Sequence, residues 1–245
     1  MSIKNGDLIN LGDHLLLCGD ATDKASVEKL LANKKISLLL TDPPYGVAYV
    51  ESKECFTKSK NDRKVIANDQ AQSEQQYKTF TQQWLEVTKP YLSLKNAYYI
   101  FNSDRMLFAL KDALDGSSFR FCQLLIWVKN HAVIGRMDYL PQHELIAYGW
   151  FGTHQFFKSK DKSVLTFPKP NKSTLHPTMK PISLLRHLIL NSSKIGDYIY
   201  DPFGGSGSTL IASEQTKRKC LMIELDPDYC QIIINRYQKL KNEYK

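Results

Sequence analysis

The stretch Tyr198-Ile-Tyr-Asp-Pro-Phe-Gly-Gly-Ser-Gly-Ser-Thr209 combines a short apolar run with a glycine-rich segment and the start of a helical pattern. The order predicts a strand, a tight turn and a helix. Glycines at 204, 205 and 207 allow backbone conformations that other residues avoid, and they let a ligand lie against bare backbone. Ser208 and Thr209 are candidates to cap the helix. Neither GxGxxG nor the Gly-Lys-Ser/Thr of a phosphate loop is present, so phosphate is not the obvious ligand.

Outward from this stretch, short apolar runs alternate with segments of helical period. The runs Leu15–Cys18, Ile36–Leu40, Ala97–Phe101, Phe121–Val128 and Lys219–Ile223 predict further strands. Strands that are apolar on both faces and alternate with helices indicate a mainly parallel sheet covered on both sides. The sequence therefore predicts a doubly wound α/β fold, whose ligands bind beyond the carboxyl ends of the strands.

Two strand ends carry candidate functional residues. About twenty residues after the glycine turn, the run Lys219–Ile223 ends in Glu224, where a carboxylate can accept hydrogen bonds from ribose hydroxyls. The run Ile36–Leu40 leads into Asp42-Pro-Pro-Tyr45, in which two prolines donate no hydrogen bonds and hold the chain extended. Rigid acceptors beside an aromatic ring suit a planar group with an NH2, such as the exocyclic amine of a nucleobase.

Composition and charge restrict the class of protein. The 245 residues are 42% apolar and carry a net charge of +8, which is compatible with a polyanionic partner. No apolar run approaches the roughly 20 residues of a membrane span, and the first residues do not resemble a secretion signal. Five cysteines without a CxxC pair argue against a disulfide framework or a zinc site and favour a reducing, cytoplasmic location.

Basic residues are concentrated in two irregular regions. We predict a long mobile loop at about residues 51–69 and a second irregular region at about residues 130–175, rich in lysine and aromatic residues. Arginine and glutamine can read base edges, and lysine can contact phosphates. The candidate contacts to a polyanionic nucleic acid are Lys58, Lys60, Arg63, Lys64, Arg136, Gln142 and Lys158.

The two strand-end motifs resemble those of S-adenosylmethionine-dependent DNA amino-methyltransferases. Asp42-Pro43-Pro44-Tyr45 is similar to the catalytic DPPY motif of that family, and Phe203-Gly-Gly-Ser-Gly207 is similar to its FxGxG cofactor motif. Their order along the chain matches the permuted β group. Leu17-Cys-Gly-Asp20, Trp127-Val-Lys-Asn130, His143-Glu144 and His176-Pro-Thr-Met-Lys180-Pro181 also resemble family segments.

This resemblance implies a single domain over residues 1–245 with a Rossmann-like, seven-stranded sheet in circularly permuted order. It implies direct methyl transfer to an amine, with Asp42, Pro43, Pro44 and Tyr45 as the catalytic group. The carboxylate of Asp42 and the carbonyl of Pro43 would hold the amine, and Tyr45 would stack on a base rotated out of the helix. The implied cofactor-binding residues are Asp20, Ala21, Lys180, Phe203, Gly205, Ser206, Gly207, Ser208, Thr209 and Glu224.

The expected substrate is the N6 amine of adenine in double-stranded DNA, because Asp at position 42 is typical of adenine enzymes of this family. Methylation of cytosine at N4, a DNA-binding module without turnover and a dinucleotide-dependent oxidoreductase are the alternatives. RNA or protein glutamine would be a further substrate class. A homodimer and a cognate restriction endonuclease are possible partners, no metal is expected, and residues 130–175 would contain the target-recognition insertion.

Overall fold

The structure, a computed structural model, describes residues 2–45, 72–132, 138–158, 160–169 and 179–243. Its strands are β1 Leu8–Leu11, β2 His14–Cys18, β3 Ile36–Thr41, β4 Leu92–Asn102, β5 Arg120–Val128, β6 His143–Trp150, β7 Thr153–His154, β8 Val164–Thr166, β9 Tyr198–Asp201 and β10 Lys219–Glu224. Its helices are α1 Lys24–Leu31, α2 Glu74–Thr88 with a 3-10 turn at Lys89–Tyr91, α3 Leu107–Gly116, α4 Ile182–Ser192, α5 Ser208–Gln215 and α6 Pro227–Glu243.

One sheet organises the described part of the chain, in the order β1-β2-β10-β9-β3-β4-β6-β5-β8, and β7 pairs separately with β4. The five strands β2, β10, β9, β3 and β4 are parallel to one another. Strand β6 runs antiparallel to both β4 and β5. The seven strands β2, β10, β9, β3, β4, β6 and β5 form the predicted mainly parallel sheet, and β1 and β8 extend its edges.

Alternate residues of the central strands point into different cores. Leu39 lies in the core formed with α1, α2 and α3. Its neighbours Leu38 and Leu40 pack on the opposite face against α4, and Met222 of β10 packs there against α5 and α6. Because both faces are covered, these strands read as continuous apolar runs. The predicted doubly wound α/β fold is confirmed.

Strand β6 was not predicted from the sequence. Residues 143–150 lie between β4 and β5, where Leu145, Ile146 and Ala147 are buried. The predicted recognition region of about 130–175 therefore contributes a strand to the interior of the sheet, and β8 contributes another to its edge. The polar residues on either side of this short apolar run obscured its pattern. The recognition role of the region stays a prediction.

The helix after the glycine turn begins differently from the prediction. Gly207 is the N-cap of α5, in a left-handed conformation, and no side chain caps the helix. The prediction that Ser208 and Thr209 cap this helix was therefore wrong, because their hydroxyls hydrogen-bond to other groups described below. By contrast, the side chain of Asp23 caps α1, and Ser73 and Gln76 form a capping box on α2.

Among the described residues, no helix is long and apolar enough to span a membrane. Parallel pairing instead places the carboxyl ends of β2, β10, β9, β3 and β4 along one edge of the sheet. The amino end of β6 lies at the same edge, because Leu145 pairs with Asn102 at the end of β4. Both sequence motifs open at this edge.

Candidate active site

The two motifs leave neighbouring strands and are joined by a buried hydrogen bond. Strand β3 ends just before Asp42, and strand β9 ends at Asp201. The two strands are paired in parallel, with Leu39 opposite Tyr200. The Thr41 hydroxyl donates to Oδ1 of Asp201 at 2.8 Å. The proline-rich segment and the glycine bend are therefore fixed side by side at one edge of the sheet.

The glycine bend is a compact turn with left-handed conformations at Gly205 and Gly207, where φ is +52° and +78°. Its backbone is tied to the sheet, because the N–H of Gly204 donates to the carbonyl of Ile223 at 2.8 Å. A Cβ on Gly204 would lie 2.7 Å from the side chain of Met222. The bend needs glycine both for its conformation and for its close contact with β10.

Glu224 lies at the end of β10, and its carboxylate faces the glycine bend. The N–H of Gly205 donates to Oε2 at 2.6 Å, and the N–H of Asp226 donates to Oε1 at 2.9 Å. Burial raises the pKa of Glu224 to about 7, against the opposing effect of these two hydrogen bonds. A buried carboxylate beside bare backbone fits the predicted contact with a ribose.

Asp201 was not predicted as a site residue, although it stands within the glycine motif. Its carboxylate accepts hydrogen bonds from the hydroxyls of Thr41 and Thr209 and from the N–H of Phe203. Burial raises the pKa of Asp201 to about 7. The aspartate joins β3, the glycine bend and α5, and its fixed place before a glycine-rich turn is the signal that could have identified it.

The serine residues of the bend contact α6, the last helix of the described chain. Arg236 of α6 donates to the carbonyl of Ser206, to its hydroxyl at 3.0 Å and to the hydroxyl of Ser208 at 3.4 Å. The ring of Phe203 packs between Phe80 and Trp84 of α2. Arg236 was not identified from the sequence, because only the folded chain brings it to the bend.

Asp20 follows β2, the neighbour of β10 on the side away from β9. Its Oδ1 accepts from both the N–H and the hydroxyl of Thr22 at 2.8 Å, which forms a tight local turn. Ala21 is buried in the core beside α1 and α2. The turn lies at the same sheet edge as Glu224, since Glu224 pairs with Cys18. Cofactor contacts by Asp20 and Ala21 stay predictions.

Asp42 is the centre of a compact polar cluster. Its carboxylate accepts a hydrogen bond from the hydroxyl of Tyr45 and, at 2.5 Å, one from the ammonium group of Lys180. Pro43 is buried, and Pro44 and Tyr45 are half-buried. The structure thus brings two of the predicted catalytic residues, Asp42 and Tyr45, together with Lys180, which was expected only at the cofactor.

Glu144 and Lys129 extend this cluster into an alternating row of charges. Nζ of Lys180 lies 3.1 Å from Oε2 of Glu144, and Nζ of Lys129 lies 2.9 Å from Oε1. Lys180 and Lys129 are only 7% and 5% exposed, and both carboxylates are 24% exposed. Two buried cations are therefore balanced by two partly buried carboxylates.

The cluster sets the ionisation of its members. Burial raises the pKa of Asp42, although Lys180 opposes that effect. Burial would also raise the pKa of Glu144, but Lys180 and Lys129 outweigh it and hold this pKa below its usual value. Burial alone would lower the pKa of Lys180, and the two carboxylates raise it instead. Lys180 is the charge that both carboxylates share.

The candidate DNA contacts are only partly visible. Gln142 is exposed and donates to the carbonyl of Lys129 at 3.1 Å. Lys158 is 50% exposed and lies 3.6 Å from Asp161. The other five predicted contacts lie outside the described residues: Lys58, Lys60, Arg63, Lys64 and Arg136. The described residues contain no group of three or more metal-ligating side chains that could hold a metal ion.

Comparison with known proteins points to one family. The N6_N4_Mtase family model, described as DNA methylase, matches residues 36–235. The chain is 24% identical over 260 residues to Type II methyltransferase M.HinfI of Haemophilus influenzae, covering 95% of this chain and 71% of that protein. It is 25% identical over 239 residues to Type II methyltransferase M2.MboI of Moraxella bovis, covering 87% and 86%.

Solved structures share the fold. The crystal structure of the M1.HpyAVI-SAM complex superposes with a TM-score of 0.66 at 23% identity, covering 90% of this chain and 98% of that chain. The PvuII DNA methyltransferase (cytosine-N4-specific) gives a TM-score of 0.70 at 15% identity, covering 94% and 87%. These likenesses establish the same α/β architecture over nearly the whole chain.

Proposed function

Because the chain belongs to the DNA methylase family, we propose that it transfers the methyl group of S-adenosylmethionine to the N6 amine of adenine in double-stranded DNA. The observation that carries this proposal is the direct link between the motifs. Thr41, the residue before the catalytic tetrapeptide, hydrogen-bonds to Asp201, which opens the glycine bend. A base held at Asp42 and a cofactor held at the bend would meet at one sheet edge.

The residues at the bend fit the nucleoside part of S-adenosylmethionine. Glu224 supplies a buried carboxylate for the ribose hydroxyls, and its present partners are backbone N–H groups. Gly205 and Gly207 keep the backbone free of side chains where the cofactor would lie. Asp20 lies on the far side of Glu224 from the bend, where it would contact the adenine of the cofactor. Phe203, Ser206, Ser208 and Thr209 shape the bend.

When bound, S-adenosylmethionine supplies an electrophilic methyl group on its sulfonium. The chain's own residues prepare the amine that receives it. Asp42 and the carbonyl of Pro43 accept hydrogen bonds from the two amine hydrogens, which favours a pyramidal nitrogen with an available lone pair. A carboxylate oxygen has two acceptor positions, so Asp42 can hold the amine in addition to Tyr45 and Lys180. Ionised Asp42 is the competent form, and Lys180 favours it.

The target base has to leave the helix to reach this cluster. Rotation out of the stack costs a few kcal/mol. Stacking on Tyr45 offsets part of that cost, and phosphate contacts by Lys158 and by the basic residues of 51–69 offset more. Residues 130–175, with Gln142 exposed at the active-site edge, would read the target sequence. Since this region is short, a small recognition sequence or a homodimer is expected, and a cognate endonuclease would cut the same sequence.

Product analysis tests the substrate assignment. The protein is incubated with unmethylated DNA and S-adenosylmethionine labelled on its methyl group, and the DNA is digested to nucleosides. We expect the label in N6-methyl-2′-deoxyadenosine, because the carboxylate of Asp42 is the acceptor typical of adenine enzymes. Label only in N4-methylcytosine would contradict the adenine assignment, and label in neither nucleoside would contradict the proposed activity.

A further inference from the structure

The row of charges beyond Asp42 includes Glu144, whose role in the reaction could not be assigned from the sequence. Glu144 is the second residue of strand β6 and lies at the same sheet edge as Asp42. It contacts Lys180, which contacts Asp42, and it is itself held by Lys129. We infer that Glu144 is a positioning residue for methyl transfer, which fixes the ammonium of Lys180 against the catalytic carboxylate. This inference rests on the proposed function.

Geometry explains why Lys180 needs a second carboxylate. A lysine side chain has four rotatable bonds and three N–H donors, so a single ion pair leaves its position poorly defined. Here the ammonium lies 2.5 Å from Oδ2 of Asp42 and 3.1 Å from Oε2 of Glu144. It also lies 5.0 Å from the centre of the Phe101 ring. Three contacts from three strands or loops restrict it to one place.

Lys129 holds Glu144 in turn and connects it to the predicted recognition region. The backbone N–H of Lys129 donates to the carbonyl of Gln142 at 2.8 Å, and the Gln142 side chain donates back to the carbonyl of Lys129. These bonds join the end of β5 to the residues just before β6. The row of charges therefore starts beside the predicted recognition region and ends at the catalytic carboxylate.

Charge balance is the second reason for Glu144. Lys129 and Lys180 carry two positive charges in a largely buried site, and Asp42 alone would leave one uncompensated. Glu144 restores neutrality, while its own negative charge acts against ionisation of Asp42. The other titratable groups facing Asp42 are Tyr45, Tyr77 of α2 and Asp201 of β9. Removal of the Glu144 charge should therefore move the pH dependence of catalysis in a defined direction.

Glu144→Gln in the full chain tests the inference, because it keeps the shape and removes the charge. A matched control is Glu214→Gln: Glu214 is also 24% exposed and also has two basic partners, His14 and Lys241. It lies in α5, at the other end of the strands, since His14 begins β2. Single-turnover methylation, kcat, KM for cofactor and DNA, and the pH profile of kcat are measured for both variants and the wild type.

We expect Glu144→Gln to lower kcat by about 10- to 100-fold, the loss typical of a slightly misplaced catalytic group. KM for the cofactor should change little. The acid limb of the kcat profile should move to lower pH, because the charge opposing ionisation of Asp42 is gone while Lys180 keeps Asp42 as its carboxylate partner, in a less defined position. Glu144→Asp keeps the charge and should keep the acid limb at its wild-type pH. Glu214→Gln should leave all these quantities unchanged.

Wild-type kcat in Glu144→Gln, an equal loss in Glu214→Gln, or a loss confined to KM for the cofactor would each overturn the inference. If Glu144→Gln does not fold, Lys129→Gln decides, because it removes the cation that holds Glu144 and leaves the Glu144 carboxylate in place. It should also lower kcat, and a wild-type value would overturn the inference. Absence of methylation by the wild type would instead contradict the proposed function, so the two failures are distinguishable.

Discussion

Removal of Lys180 should destabilise the protein in a pH-dependent way. In Lys180→Met the carboxylates of Asp42 and Glu144 lose the ammonium that they share. Breaking a buried ion pair by removing one partner costs about 3–5 kcal/mol. Both carboxylates are 24% exposed, so we expect a loss near the lower end, about 3 kcal/mol. That is a large part of the roughly 5–15 kcal/mol of a typical domain.

The direction of the pH dependence follows from Asp42. Burial already raises the pKa of Asp42 in the folded protein, and loss of Lys180 raises it further. A folded-state pKa above the unfolded value means that the folded state binds more protons, so stability falls as pH rises through the folded pKa. The deficit of Lys180→Met relative to the wild type should therefore be larger at alkaline pH than at acid pH.

Urea unfolding of the wild type and the variant at acid and at alkaline pH measures this deficit. Lys241→Met is the matched control, because Lys241 is 49% exposed and lies 2.9 Å from Glu214. An exposed pair of this kind contributes about 0–1 kcal/mol. A Lys180→Met deficit no larger than that of Lys241→Met, or one that does not grow with pH, would refute the role assigned to the shared ammonium.

Three further predictions concern the glycine bend. Glu224→Ala should weaken binding of S-adenosylmethionine by about 1.5–3 kcal/mol, the contribution of hydrogen bonds to a charged group, as measured by calorimetry. Since the pKa of Glu224 is about 7, wild-type affinity should also fall as pH drops below that value, and equal affinity in acid and alkali would contradict the ribose contact. Gly207→Ala should cost about 1–3 kcal/mol of unfolding free energy, because φ is +78° and a Cβ would lie 3.0 Å from Ile233. Gly196→Ala is the control, because φ there is +84° and a Cβ would have no atom within 4 Å, so only backbone strain contributes. An equal loss of unfolding free energy in the two variants would show that the contact with Ile233 contributes nothing. Arg236→Met should lower the affinity for the cofactor, because the carbonyl of Ser206 loses its hydrogen-bond donor. Unchanged affinity would show that the bend keeps its conformation without Arg236.

Local sequence patterns predicted most of the fold. Apolar runs such as Ile36–Leu40 and Lys219–Ile223 are strands in the structure, extended by one residue each to Thr41 and Glu224. These elements depend on neighbouring residues, which is why a pattern along the chain identifies them. Strand β6 escaped notice because its buried residues follow Pro141, Gln142 and His143, which are typical of a loop.

The contacts between motifs could not be predicted in the same way. Proximity of the two motifs followed from the rule that parallel strands end at one edge, and the Thr41–Asp201 bond agrees with it. The pairing of Lys180 with Asp42 joins residues 138 positions apart, and no spacing rule indicates it. Arg236 at Ser206 is a similar case. Such contacts depend on how helices and loops pack over the sheet edge.

In the proposed reaction, Asp42 holds the amine while a separate set of residues holds the cofactor. The most direct test compares wild type and Asp42→Ala in single-turnover methylation of unmethylated DNA, with binding of S-adenosylmethionine and DNA measured on the same samples. We expect the variant to bind both but to transfer no methyl group, while the wild type produces N6-methyladenine. Equal methylation by the two proteins would contradict this role of Asp42.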